Sequence, residues 1–491
     1  MTLAQEMLGI MSSKYSGING AVINPSLPVL SPFFLDINLV SAGLFTENNY
    51  LYLAREEYMF SRFLESNPNF PTHPPDNKFY YDYYTSSDKR GFFVARVMGP
   101  SVALISGRNA FGFYTSARTT FSAQNIPMQL AKFFFEGLAF PPQYDTRFIH
   151  DQKMSAAGLA WGEAAFNYSR VFQDRGYDFL AAGITVKRLF GNAGGYWHST
   201  LMDYMVPHRD TLIIYNTNTE GGFSIPLDYT TNEFLTSPLF RGTGIGFDIG
   251  MTFERKRVLQ NNSRNFRKLC SQVYVPYQFR IGISLLDIGS IKFTENAMKL
   301  DVENGSLFWP GIHSTDYSNV NQLMSNISNR FFGNPTQLIT DNEVVIGLPT
   351  ALSIQADVNI QSNFYGNATV VYPVKMMKNS VVRPMLIALG PRYETRNIGF
   401  GVIASVHDWN RFHLGINGRI RGFFFGTEKI GSFFRFSDFT GIDFYGGLKI
   451  SFMKGHCRNN RSVSCSNNEY KKFVRQKGLF KNRKPKMDLY R

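Results

Sequence analysis

Between Arg411 and Ile420 the side chains alternate. Phe412, Leu414, Ile416, Gly418 and Ile420 fall on one face, and Arg411, His413, Gly415, Asn417 and Arg419 on the other. A period of two is that of a β-strand, whose successive side chains point to opposite faces. Residues 441–452 repeat it, with Ile442, Phe444, Leu448, Ile450 and Phe452 opposite Asp443, Tyr445, Lys449 and Ser451. In 244–254, Ile245, Phe247, Ile249, Met251 and Phe253 oppose Asp248 and Thr252; in 277–285, Phe279, Ile281, Ile283 and Leu285 oppose Arg280 and Ser284. Runs of about 9–11 residues are what a tilted strand needs to cross a bilayer. A soluble sheet shows the same alternation, so the argument rests on how often it returns.

It returns along the whole chain. Residues 36–45 form a first strand, with Ile37, Leu39, Ser41, Gly43 and Phe45 alternating with Asp36, Asn38, Val40 and Ala42. Residues 55–90 read as a long loop, with Pro71, Pro74, Pro75 and the run from Tyr80 to Tyr84; a long polar-aromatic loop suits the extracellular side of a barrel. Strand patterns follow at 91–98, 101–106, 111–118, 156–168, 178–188, 290–294, 351–360, 364–372, 384–393, 398–406 and 423–430. Residues 190–240 read as irregular, with a hairpin candidate around Glu220-Gly221-Gly222, and 297–348 as a second long insertion. In 126–139, Leu130, Phe133, Phe134 and Leu138 recur near helical spacing behind Pro127, which predicts a helix lining the lumen or packed at a rim. The candidates number about 16, and bacterial barrels use even counts. The tight turn His407-Asp408-Trp409-Asn410 and the 190–240 insertion do not both fit their usual sides without adding or dropping a strand.

Residues 7–32 carry turn residues and scattered apolar ones but no periodic element, which predicts a segment lying inside or across the barrel. Within them, Lys14-Tyr15-Ser16-Gly17-Ile18-Asn19-Gly20-Ala21-Val22-Ile23-Asn24-Pro25, followed by Asp36-Ile37-Asn38-Leu39, resembles the opening of an outer-membrane barrel family of Bacteroidota known only as a domain of unknown function. That family is similar, more distantly, to long-chain fatty-acid transporter barrels and to the shuttle barrel of a secretion system in the same bacteria. The resemblance covers residues 10–453, and its short motifs carry no catalytic residues. It implies an all-β fold: a transmembrane antiparallel β-barrel of about 14 strands (14–16), with a plug-like N-terminal segment and a short internal or rim helix. The expected layout is a signal remnant and plug in 1–32, the barrel in 33–453 and a tail in 454–491, in the bacterial outer membrane with both termini periplasmic. Leu3-Ala4-Gln5 reads as the end of an export signal.

Composition fits this layout. There are 46 Phe, 25 Tyr and 42 Gly in 491 residues, and no run of uncharged apolar residues is long enough for a membrane helix. The slightly negative mean hydropathy, −0.18, does not argue against a membrane protein, because half of every barrel strand faces a polar interior. Of the formal net charge of +14, residues 454–491 hold +10, from twelve Lys or Arg against two acidic residues. This tail is too polar to build a core. Lys471, Lys472, Arg475 and Lys477 would lie along one side of a short helix, suited to an acidic periplasmic protein or the peptidoglycan layer. The compartment argues against nucleic acid. Cys270 stands alone, whereas Cys457 and Cys465 read either as a small disulfide loop or as free thiols.

No P-loop, dinucleotide fingerprint or Cys-x-x-Cys occurs, and no cofactor or metal is expected. His198, Asp203 and His208, and likewise His407, Asp408 and His413, are close in sequence without a catalytic or metal-binding signature, and the chain is not expected to be an enzyme. The candidate site is instead the lumen. Asp248, Arg280, Asp357, Arg411, Arg419 and Lys449 fall on polar strand faces, as a salt-bridged interior or as a lining that selects a permeant or seats a plug. Two functions follow: a channel or transporter for apolar or amphiphilic solutes, or a non-transporting scaffold that docks partner proteins.

Overall fold

The computed structural model describes residues 7–56, 80–258, 268–312, 317–408, 411–434 and 436–457. Its strands close into a 14-strand antiparallel barrel. In chain order they are β1 (Phe33–Asn48), β2 (Lys89–Met98 with Ser101–Ser106), β3 (Asn109–Ile126), β4 (Met154–Asp174), β5 (Asp178–His208) and β6 (Thr211–Ser224 with Gly242–Lys256). Then come β7 (Tyr277–Phe293 with Ala297–Pro310), β8 (Ile339–Asp341, Val344–Gly347 and Ala351–Gln361), β9 (Phe364–Pro373) and β10 (Leu386–Glu394). Last are β11 (Ile398–His407), β12 (Arg411–Ile420), β13 (Phe423–Thr427) and β14 (Asp443–Met453). Each pairs with the next, and β14 closes on β1 from Phe33↔Met453 to Phe45↔Asp443. Closure leaves no unpaired edge, which is what lipid demands of a sheet.

The expectation of an irregular 190–240 is corrected. β5 runs on to His208, turns at 209–210, and returns as the first half of β6, so this stretch is one tall hairpin. Only 225–241 leaves the ladder; β6 then resumes against the lower half of β5. Residues 297–348 likewise contain the upper half of β7 and a helix, Val320–Phe332. Merging these halves removes the surplus strands and the parity conflict, and the turn after His407 sits on the long-loop end as a short exception. The helix foreseen in 126–139 is Met128–Glu136 at the rim, where Phe133 packs on Tyr204 of β5.

The two ends differ. The end where β1 starts and β14 finishes carries short turns at 107–108, 175–177, 362–363, 395–397 and 421–422; its one long connection is 257–276. The other end carries 49–88, 127–153, 311–338, 374–385 and 428–442.

Apolar residues face out around the whole circumference, among them Phe111, Phe113, Val186, Ile249, Ile281, Ile354, Leu389, Val402, Leu414, Leu448 and Ile450. Strict alternation fails in β1. A register shift between Asn38 and Val40 exposes Leu39 and Val40 together and turns Asp36, Asn38, Ser41 and Phe45 all inward. The faces read for 36–45 therefore hold only up to the bulge, which inserts one residue and reverses parity beyond it. In β12 the outward set of Phe412, Leu414 and Ile420 is exposed as expected. Ile416 lies mid-strand on that lipid face, so Ile416→Arg should cost about 2–4 kcal/mol, read by denaturant unfolding in liposomes.

Candidate functional site: a filled lumen

Residues 7–32 fill the barrel interior as short helical turns, including Leu8–Met11 and Gly17–Val22, and join no strand ladder. With no sheet partner, their polar groups reach the wall through side chains. The Gly9 amide donates to the Tyr445 hydroxyl of β14 at 2.8 Å, and Lys14 Nζ to Tyr365 of β9 at 2.7 Å. The Ile18 amide donates to Asp36 of β1 at 2.8 Å. Asn24 Nδ2 donates to Gln355 Oε1 of β8 at 3.0 Å and to the Met251 carbonyl of β6 at 3.2 Å. Ser284 of β7 donates to the Ile23 carbonyl at 2.6 Å, and Asn167 of β4 to that of Pro25 at 3.1 Å. The segment is thus tied to strands on every side. Two glycines permit the approach. Gly17 has φ of +59°, and a Cβ there would lie 1.9 Å from Asp36 Oδ2; one on Gly183 of β5 would lie 2.3 Å from the Pro25 carbonyl.

Two buried charge networks flank the plug. In the first, Asp287 accepts both Arg118 guanidinium nitrogens, at 2.9 and 2.8 Å, and Lys187 Nζ at 2.5 Å; Arg383 binds it as well. Asp287 occupies a left-handed position (φ 53°) where β7 slips register against β6, so its side chain enters the lumen out of turn. Its amide donates to Asp248, which also pairs with Lys187 at 2.7 Å. Glu163 completes the group beside Arg118 at 3.5 Å, with Trp161 Nε1 donating to it. In the second network, Arg280 pairs with Glu254 at 2.8 Å, and Arg392 pairs with Asp357 and, at 3.1 Å, with Glu394. Charges packed this way have partners that offset much of their desolvation cost, and they leave little open water path. A void of about 20 Å³ between plug and wall, lined by Met11, Ile23, Arg280 and Asp357, has room for about one water.

Of the residues expected to line the lumen, Asp248, Arg280, Asp357, Arg419 and Lys449 are buried on the inner face. Lys449 donates to Asp36 at 3.1 Å and to the carbonyls of Tyr15 and Ser16 of the plug. Arg419 lies over the Tyr15 ring and donates to the Thr395 carbonyl at 2.6 Å. Arg411 shares their face but sits at the rim, over the Tyr83 ring. Sequence reading missed Arg118, Glu163 and Lys187, although they stand at inward parity on strands it found, and it missed Asp287, which breaks parity. The histidines do not assemble a site. His198 is buried in the tall wall, beside the Tyr196 ring at 5.5 Å. Asp203 pairs with Arg147 at 2.5 Å. His413 contacts Glu47 at 3.2 Å, and His407 stacks on Phe45 at 4.7 Å. Among the described residues, no His, Cys, Asp and Glu cluster is arranged to hold a metal ion. Lys471, Lys472, Arg475 and Lys477 lie outside the described residues.

The cysteine reading is corrected. Cys270, in the 257–276 connection, is disulfide-bonded to Cys457, four residues past β14. The bond ties that connection to the end of β14 across the short-turn mouth. Gly455 donates to the Cys270 carbonyl at 2.6 Å, the Lys454 amide to that of Pro32 at 2.9 Å, and Gln272 to that of Ile105 at 2.8 Å. Residues 454–457 therefore belong to the mouth of the barrel and not to the tail. Closing a loop of this length contributes about 2–5 kcal/mol. The double variant Cys270→Ser, Cys457→Ser should lose that amount in denaturant unfolding and its non-reducing gel shift, whereas Cys465→Ser should keep both.

The matched family spans most of the barrel, residues 25–428. The chain belongs to the family of unknown function DUF5723. No curated protein matches its sequence. Among solved structures it is similar to the toluene transporter TbuX of Ralstonia pickettii, at 9% identity and TM-score 0.39, covering 92% of this chain and 98% of that one. The Pseudomonas putida toluene transporter TodX gives 8% and 0.37, with 91% and 95% covered. A Pseudomonas aeruginosa FadL homologue gives 9% and 0.22, with 91% and 96% covered. This DUF5723 chain is a closed antiparallel β-barrel.

Proposed function

We propose that the protein is an outer-membrane barrel sealed in its resting state, serving as a membrane-embedded scaffold that docks partner proteins. The observation that supports this reading is the plug, held by hydrogen bonds to β1, β4, β6, β7, β8, β9 and β14. Short turns at the end bearing the barrel's termini support a periplasmic placement of that end, since barrels of this class keep long loops outside. On that reading the basic charge of 458–491 is offered to an acidic periplasmic protein or to peptidoglycan. Truncation after Cys457 should leave heat-modifiable gel mobility intact and abolish salt-sensitive capture of peptidoglycan; capture that survives truncation excludes the tail as the docking element. No catalytic role is assigned. In planar bilayers the wild-type protein should show no conductance steps, and steady steps would overturn the sealed scaffold.

The second reading, a channel for apolar or amphiphilic solutes, has one observation in its favour. The plug joins no strand ladder, so it can shift without breaking the wall. Flux of an apolar dye into proteoliposomes holding the wild-type protein would favour it.

A further inference from the structure

The outer wall is indented where β4 and β5 pass the upper edge of the apolar band. The floor is made of small outward residues, Ala156, Gly158 and Ala160 on β4 and Ala193 and Gly195 on β5. Phe121 of β3, Trp197 of β5, and Phe223 and Ile225 at the break in β6 form the edges. The recess holds about 450 Å³, within the range of ligand-binding clefts, and exposes almost no polar atom.

Nothing within the chain requires these glycines. Both sit within strands, where glycine is costly to order and offers no packing. A Cβ on Gly158 would approach no closer than 3.4 Å, to Phe121, and one on Gly195 no closer than 3.4 Å, to Phe223, both ordinary contacts. Neither has the positive φ that would favour glycine. Their smallness keeps the recess empty of protein.

Its surroundings identify the occupant. The recess opens on the outer face of the barrel, and Phe121, one of the exposed outward apolar side chains, lines its edge. Beside it, residues 225–241 leave β6 and lie against the outside of the wall, where Phe240 packs on Phe190 and over Gly162. This arm leaves Phe234 (71%), Leu239 (61%) and Phe240 (43%) exposed on the same outer side. Apolar side chains at the edge of a lipid-facing band, around a cleft without hydrogen-bonding groups, match a hydrocarbon chain.

We propose that this recess binds an acyl chain of a lipid from the surrounding leaflet, with the 225–241 arm resting in the same lipid layer.

The test places the whole protein in nanodiscs of phosphatidylcholine with or without bromine on the acyl chains, and reads Trp197 as the fluorescence difference between wild type and Trp197→Phe. Trp197 should lose at least half its emission to the brominated lipid. In Gly158→Leu, Gly195→Leu, which fills the floor, that loss should fall at least twofold. An unquenched Trp197 in the wild type overturns the proposal. So does equal quenching in the filled variant, which would mean general bilayer contact, and so does a dimer in the discs that shields Trp197, which would make a second copy the occupant. If the double variant does not fold, native mass spectrometry of the wild type and Ala160→Leu decides. A phospholipid retained by the first and lost from the second is expected, and no difference overturns it.

Discussion

Asp287→Ala should be the most damaging single substitution in the wall. Three cations, Arg118, Lys187 and Arg383, converge on this carboxylate, which is almost wholly buried. Removing it leaves the three cations facing only two carboxylates, Asp248 beside Lys187 and Glu163 beside Arg118, where water cannot replace the lost partner. Breaking a buried pair from one side costs about 3–5 kcal/mol, and here one side serves several partners. Expected is that loss or more in urea unfolding from liposomes, with the unheated, fast-migrating gel band weakened. Asp287→Asn keeps the shape and should lose a comparable amount, because the deficit is in charge. Glu343→Ala provides the contrast. It pairs with Lys292 at 2.7 Å, but both side chains are about half exposed, so under about 1 kcal/mol is expected. If Asp287→Ala proves as mild as Glu343→Ala, the network does not hold the wall.

What could be read from sequence follows from where the membrane imposes a pattern. Strands that cross lipid must show apolar residues outward, so the faces of 244–254, 277–285, 411–420 and 441–452 were legible, and with them the barrel and the buried positions of Asp248, Arg280 and Lys449. At and above the upper edge of the apolar band, that pressure weakens. The upper halves of β5 and β6 carry Gly191, Gly194, Gly195, Gly221 and Gly222, with polar and aromatic residues on both faces, and alternation is lost although the ladder continues. Bulges hide sites for a different reason. One inserted residue in β1 reverses the outward set after Asn38, and the slip in β7 turns Asp287 inward from a stretch that reads as apolar. The Cys270–Cys457 bond was invisible because its ends meet only through closure of the barrel, 187 residues apart in sequence. Residues 7–32 were legible as an element without a strand, whereas their anchors, scattered from Asp36 to Lys449, emerge only from the closed fold.

The plug supports the prediction with the largest functional effect. Deleting 7–32 removes the material that fills the lumen and should turn a silent barrel into one that leaks small solutes from liposomes. The deletion also removes apolar residues that form part of the largest buried cluster, so a misfolded product is one outcome to guard against. Gly183→Val avoids this. The position lies on β5, where a β-branched residue suits the strand, and its Cβ would press from the wall onto the Pro25 carbonyl at 2.3 Å. The plug then has to shift at 24–26, where Asn24 is held at 3.0–3.2 Å by single hydrogen bonds to Gln355 and Met251. Leak should rise above wild type yet stay below the deletion, because Lys449 and Asp36 still grip residues 15–18. Reducing the Cys270–Cys457 bond in Gly183→Val should raise it again, since that bond fixes the connection across the short-turn mouth. A rise in the deletion alone would mean that the plug tolerates pressure at one point. No rise in any of the three, with folded barrels by gel mobility, would mean that residues 7–32 do not seal the lumen.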